Sequence, residues 1–129
     1  MPKSLTGARL LVVEDETLVA IMVEDMLSDL GCVVVNVAGS VSTGLAFVAD
    51  PSLALDGAIL DVNLGGEKVY PVADALTAKG VPFMFATGYG ISGIAESYSH
   101  LPALAKPYEP QLLERVLALV LQQAPEADR

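Results

Sequence analysis

Short apolar runs alternate along this chain with longer segments of helical period, and that alternation constrains the fold more than any other feature. Leu10-Leu11-Val12-Val13 is the first run, followed by Val33 to Val37, Gly57 to Leu60, Phe83 to Ala86 and the weaker Ala103 to Ala105. Runs with little polar alternation suit strands covered on both faces. Between them, Thr17 is expected to cap a helix carrying Val19, Val23, Met26, Leu27 and Leu30 on one face, with Gly31 as its stop. Ser42 to Asp50 reads as a second helix ended by Pro51, and Tyr70 to Lys79 as a third ended by Gly80. Ile91 to Tyr98 is a poor fourth, because Gly88, Gly90 and Gly93 crowd its start, and Pro110 to Gln123 is a strong fifth with proline in its first turn. Five βα repeats predict an α/β fold in which helices cover both faces of a doubly wound, five-stranded parallel sheet. One domain is expected over 1–129, with its core at about 9–123 and no output domain.

Composition supports that expectation: 53% of the 129 residues are hydrophobic, enough to build a core without disulfides. The single cysteine, Cys32, cannot form an internal bridge and reads as a small buried hydrophobe; Met22, Met26 and Met84 read as core filler. The longest apolar runs, such as Leu18 to Val23 and Val116 to Leu121, fall far short of the ~20 residues of a membrane span, and a cytoplasmic location is expected. Charge is uneven. Between Leu10 and Glu67 there are ten acids and no Lys or Arg, within a net charge of -9. Such a surface excludes nucleic acid and anionic membranes as partners and favours cations or cationic groups.

Ligands of open parallel sheets bind at the carboxyl ends of the strands. The first candidate strand ends in Glu14-Asp15-Glu16, the third in Asp61-Val62-Asn63, the fourth in Thr87-Gly88 and the fifth in Lys106-Pro107. Carboxylates converging on one rim repel one another and call for a cation among them. A hard divalent ion held by carboxylates, carbonyls and waters describes a Mg²⁺ site that also takes a phosphate oxygen. Lys106 then offers a point charge to a second phosphoryl oxygen and Thr87 a hydroxyl to a third. Asp61, ending the central strand, is the candidate attacking group, since a carboxylate can accept a phosphoryl group without a general base. Glu16 reads as a favourable charge at the start of the first helix. His100 lies outside this constellation.

These residues resemble the receiver domains of two-component response regulators, over roughly Arg9 to Gln123. Leu11-Val12-Val13-Glu14-Asp15-Glu16 is similar to the family's first-strand acidic signature, and Ile59-Leu60-Asp61-Val62-Asn63 to its phosphoacceptor strand. Ala86-Thr87 matches the switch threonine and Lys106-Pro107 the lysine-proline pair. The resemblance implies a flavodoxin-like (βα)5 sheet in strand order 2-1-3-4-5. It implies Asp61 as phosphoacceptor, with Lys106 and Thr87 on the phosphoryl group. It also implies Mg²⁺ (or Mn²⁺) at Glu14, Asp15, Asp61 and the Asn63 main-chain carbonyl. The donor would be a sensor histidine kinase or a phosphotransfer protein, and the chain a signalling protein rather than an enzyme, acting on a downstream protein target. The segment Pro82 to Tyr89 is similar to the FATGUY class of stand-alone receivers, which implies a kinase of HWE or HisKA2 type.

Two departures from the family pattern matter. Glu14 stands where aspartate is commoner, so its longer side chain is expected to reach a metal through water. Ala103 stands where many receivers carry an aromatic switch, leaving the glycine-rich 88–93 segment as the candidate output element within the surface of the last two helices and last strand. The apolar residues of the last helix, Leu112 to Leu121, fit either a wide buried face or a homodimer surface. A flavin-binding protein of the same fold is disfavoured by the acidic rim and by the lack of a phosphate loop after the first strand, and a non-phosphorylated interaction module by the intact acid, threonine and lysine set.

Overall fold

A computed structural model of the chain describes residues 5–87, 103–105 and 109–122. Strands β1 (Arg9–Val13), β2 (Val33–Ala38), β3 (Gly57–Asp61), β6 (Phe83–Thr87) and β7 (Ala103–Ala105) form one sheet in the order β2-β1-β3-β6-β7. All four pairings are parallel, so the expected 2-1-3-4-5 order of the flavodoxin-like α/β fold is realised. The described helices are α1 (Thr17–Asp29), α2 (Val41–Ala49), α3 (Tyr70–Ala78) and α4 (Pro110–Gln122), with a 3₁₀ turn at Pro51–Leu53. The candidate helix Ile91 to Tyr98 lies outside the described residues, as do the glycine-rich 88–93 segment, Tyr89, His100, Lys106 and Pro107.

Successive residues of a strand point to opposite faces, and here they divide the core in two. Leu11 and Val13 of β1, Ala58 and Leu60 of β3, and Phe83 and Phe85 of β6 face α2 and α3. Leu10 and Val12, Ile59, and Met84 and Ala86 face α1 and α4. The first layer is aromatic at one end, where Phe83 and Phe85 meet edge to face at 5.5 Å and Tyr70 stands against Phe85 at 5.9 Å. The second is closed by Leu113, Leu117, Val120 and Leu121 of α4, all fully buried. Only Leu119 among the large apolar residues of that helix is strongly exposed, at 55%, so most of its broad apolar surface serves the sheet.

Several details differ from the sequence expectations. Thr17 is the first helical residue rather than the cap. Glu16 takes the cap position in extended backbone, with no side-chain cap bond, and its carbonyl accepts the first helical bond from the Ala20 N–H at 2.9 Å. Its charge still stands at the helix start, as expected. The second helix begins one residue early because Ser40 caps it, its hydroxyl accepting from the Thr43 N–H at 3.2 Å. Met22 is not core filler: it is 41% exposed, because α1 buries the line Ala20, Val23 and Leu27 and turns Leu18, Ile21 and Met22 outward. Met84 and Cys32 are buried as expected.

A further element lay outside the five-repeat pattern. After β3 the chain forms a two-stranded antiparallel ribbon, β4 (Asn63–Leu64) and β5 (Glu67–Lys68). Gly65 and Gly66 join them with φ of +56° and +94°. Positive φ at both central residues is the requirement of a tight hairpin turn whose twist matches its strands, and glycine meets it without steric cost.

Candidate functional site

The carboxyl ends of β1 and β3, neighbours in the sheet, bring three acids together. At the end of β1 the Glu14 N–H donates to the Ala38 carbonyl at 2.8 Å, extending the ladder to β2 by one residue. The chain then turns, and the Glu16 N–H donates back to Glu14 Oε2 at 3.1 Å. That bond holds a carboxylate that is only 3% exposed. Asp15, between them, is exposed. Asp61 is the last residue of β3, paired with Ala86 of β6 and 6% exposed. Beyond it the Val62 N–H donates to the Ala86 carbonyl at 3.1 Å, which fixes the exit of the strand.

One carboxylate oxygen from each of Glu14, Asp15 and Asp61 lies within 4.8 Å of the other two. Two of these side chains are buried and one faces solvent, an arrangement that can enclose a small cation while leaving it an open side. The donors are all hard oxygens, which suits a divalent ion such as Mg²⁺ that keeps several waters. The fit is also electrostatic. Without a cation, each pair of charges at this spacing repels by about 0.9 kcal/mol even at the dielectric of water. The site's position is that of ligand sites in doubly wound sheets.

Thr87 belongs to the same rim. It ends β6, one residue past the partner of Asp61, pairs with Ala105 of β7 and is 1% exposed. Glu14, Asp61 and Thr87 each have an interaction partner, so none is an orphaned buried polar group. Lys106, next in sequence after β7, lies outside the described residues. Asn63 opens β4, and its side-chain oxygen accepts from the Lys68 ammonium across the ribbon. The ribbon lies beside the acids: a Cβ placed on Gly65 would stand 3.8 Å from Asp15 Oδ2. Lys68 was not singled out from the sequence. The signal that finds it is the Gly65-Gly66 pair, which as a two-residue hairpin turn sets residues 63 and 68 opposite each other.

Comparison with known proteins places this geometry in a family. No family model and no curated protein matches the sequence. Among solved structures, SdrG from Sphingomonas melonis Fr1 is 42% identical, with a TM-score of 0.80, over 92% of this chain and 99% of that one. The receiver domain of the PhyR response regulator from Erythrobacter litoralis is 21% identical, with a TM-score of 0.80, over 97% of this chain and 99% of its own length. The response regulator PhyR from Brucella abortus is 23% identical, with a TM-score of 0.78, over 91% of this chain but only 49% of that protein. The latter two show the shared fold, and the first shows kinship across nearly the whole of both chains. Together with the acid-tipped β1 and β3, these likenesses establish that the chain belongs to the response regulator receiver family.

Proposed function

We propose that this chain accepts a phosphoryl group on Asp61 in a reaction that requires Mg²⁺ or Mn²⁺, and signals through contact with another protein. The observation that supports this most is the convergence of the Glu14, Asp15 and Asp61 carboxylates within 4.8 Å at the ends of adjacent strands, with Thr87 buried beside them. A bound divalent ion would neutralise the three carboxylates and the incoming phosphoryl oxygens. Glu14, Asp15, Asp61 and the main-chain carbonyl of Asn63 are the residues assigned to hold it.

In the proposed reaction an Asp61 carboxylate oxygen attacks phosphorus in line with the bond to a phosphohistidine nitrogen. The phosphorus–nitrogen bond breaks as the phosphorus–oxygen bond forms, leaving an acyl phosphate on Asp61 and a free imidazole on the donor. Thr87 donates its hydroxyl to one product oxygen and Lys106 its ammonium to another. The added charge biases a two-state equilibrium in the surface around β7 and α4. Because Ala103 replaces the usual aromatic, that shift is assigned to the glycine-rich segment after β6.

The donor in this reading is a sensor histidine kinase, of the HWE or HisKA2 type if the FATGUY resemblance is followed, or a phosphotransfer protein. Support for a protein partner comes from α1, where Leu18 is 82% exposed and Ile21 and Met22 lie beside it, next to the acid rim. Among the described residues no helix is long and apolar enough to cross a membrane. Phosphotransfer profiling against a panel of autophosphorylated histidine kinases tests the proposal. Rapid transfer from one or a few kinases to this chain is expected, and failure of every kinase to label it would count against the proposal.

A further inference from the structure

The longest stretch of this sequence without a charge runs from Leu30 to Ala49, between Asp29 and Asp50. It builds β2, which ends the sheet order β2-β1-β3-β6-β7 and so has a neighbour on one side only, and α2, which packs against β2. An edge strand presents unpaired N–H and C=O groups, and chains that stay single guard such edges with charges, proline or bulges. Val33-Val34-Val35-Asn36-Val37-Ala38 of β2 includes neither charge nor proline. Its one guard is a slip in register between Leu10 and Leu11 of β1, which leaves Val35 without a partner there.

The side chains around the edge are uncharged as well. Val33 is 44% exposed. On one face of the sheet Val34 and Val37 are half-buried, as are Val19, Met26 and Leu30 of α1 in the same layer. On the other face every exposed residue of α2 is small or apolar, Leu45 being the largest at 36%.

We propose that β2 pairs with β2 of a second copy of this chain, antiparallel about a twofold axis, so that two five-stranded sheets join into one. Charge selects that occupant. Each copy carries -9, so two copies repel over most approaches, and a charge-free edge lets them touch without setting acid against acid. A partner drawn in by charge would meet the acids of α1 and of the strand ends instead. Symmetry agrees with charge: a strand edge is complementary to itself when turned antiparallel, and pairing uses up β2 on both copies, which closes the dimer. Six residues span about 20 Å. With the half-buried side chains above and below, a contact of that length lies near the lower bound of about 1,000 Å² for a specific interface. The bulge shortens the ladder further, so the pairing is weak and reversible. None of this depends on Asp61 as phosphoryl acceptor.

Sedimentation equilibrium of the full chain tests the proposal, from about 10 µM to about 500 µM at about 0.3 M salt, which screens the charges. The average mass should climb from one chain toward two. Val33→Asp and Val35→Lys each place a charge on the edge, and both should hold the mass at one chain throughout while unfolding thermally close to wild type. Leu119→Asp, on the exposed side of α4, should dimerise as wild type does. Amide exchange read by mass spectrometry needs no substitution: with four fifths of the chains paired, the β2 segment of wild type should exchange about fivefold more slowly than at low concentration. A mass of one chain at every concentration overturns the proposal, as does a dimer that survives both edge variants. Exchange in β2 that ignores concentration overturns it even where an edge variant fails to fold. Loss of the dimer in Leu119→Asp alone moves the contact to α4 and likewise overturns it.

Discussion

Replacing Asp15 by Asn should stabilise the metal-free protein and abolish its stabilisation by Mg²⁺, two effects of opposite sign from one substitution. Asp15 carries the exposed member of three carboxylates whose oxygens lie within 4.8 Å of one another. Because it is exposed, its repulsions are taken at the dielectric of water, where two pairs at that distance sum to about 1.7 kcal/mol. At about 0.1 M salt, screening reduces this to about 1 kcal/mol. For a domain of this size that corresponds to a rise in Tm of about 4 °C, and of about 6 °C at low salt. The wild type should gain from Mg²⁺ what the variant cannot: saturation to a hundred times the Kd adds about 2.7 kcal/mol, or about 10 °C. Thermal unfolding by circular dichroism, with chelator and with Mg²⁺, at two ionic strengths, reads all of these. A variant less stable than wild type in chelator, or one that keeps the full Mg²⁺ shift, would refute the electrostatic reasoning.

Other consequences are structural. A Cβ on Gly57 would meet Leu121 Cδ2 at 3.0 Å and Leu10 Cδ2 at 3.3 Å, so Gly57→Val should cost about 2 kcal/mol in urea unfolding through overpacking between β3 and α4. Leu117, fully buried beneath the sheet, should lose about 3 kcal/mol on truncation to Ala, measured in the same way. Burial pushes the Cys32 thiol above its usual value of 9.0. The unfolded chain then releases that proton at lower pH than the folded one, so stability is fully present below the unfolded value and falls as pH rises toward the folded one. Cys32→Ala should flatten that alkaline decline in pH-dependent unfolding, and an unchanged slope would remove Cys32 as its source.

Much of the fold was legible because the inner strands β1, β3 and β6 are buried on both faces and therefore written as short unbroken apolar runs. Leu10 to Val13 and Phe83 to Ala86 declare themselves in this way, and their strand ends declare where the polar chemistry gathers. Glu14, Asp15 and Asp61 were legible for the same reason: topology alone puts the ends of β1 and β3 side by side. The position of Thr17 was not, because the start of α1 is set by the Glu16 N–H bonding back to Glu14, a local contact with no signature in residue type. Met22 sits in an apolar stretch, and only packing decides which part of that stretch meets the sheet. The β4–β5 ribbon escaped because its strands are two residues each, too short for any period. Its glycine pair marked a turn, but the partnership of Asn63 with Lys68 follows only once that turn is read as a hairpin.

The assignment of Asp61 as phosphoryl acceptor is tested most directly by intact-mass measurement after incubation with acetyl phosphate. Wild type with Mg²⁺ should gain the mass of one phosphoryl group, located by fragmentation to Asp61, and should gain none in chelator. Asp61→Asn should gain none under either condition. Equal labelling of Asp61→Asn and wild type, or labelling of wild type undiminished by chelator, would contradict the assignment.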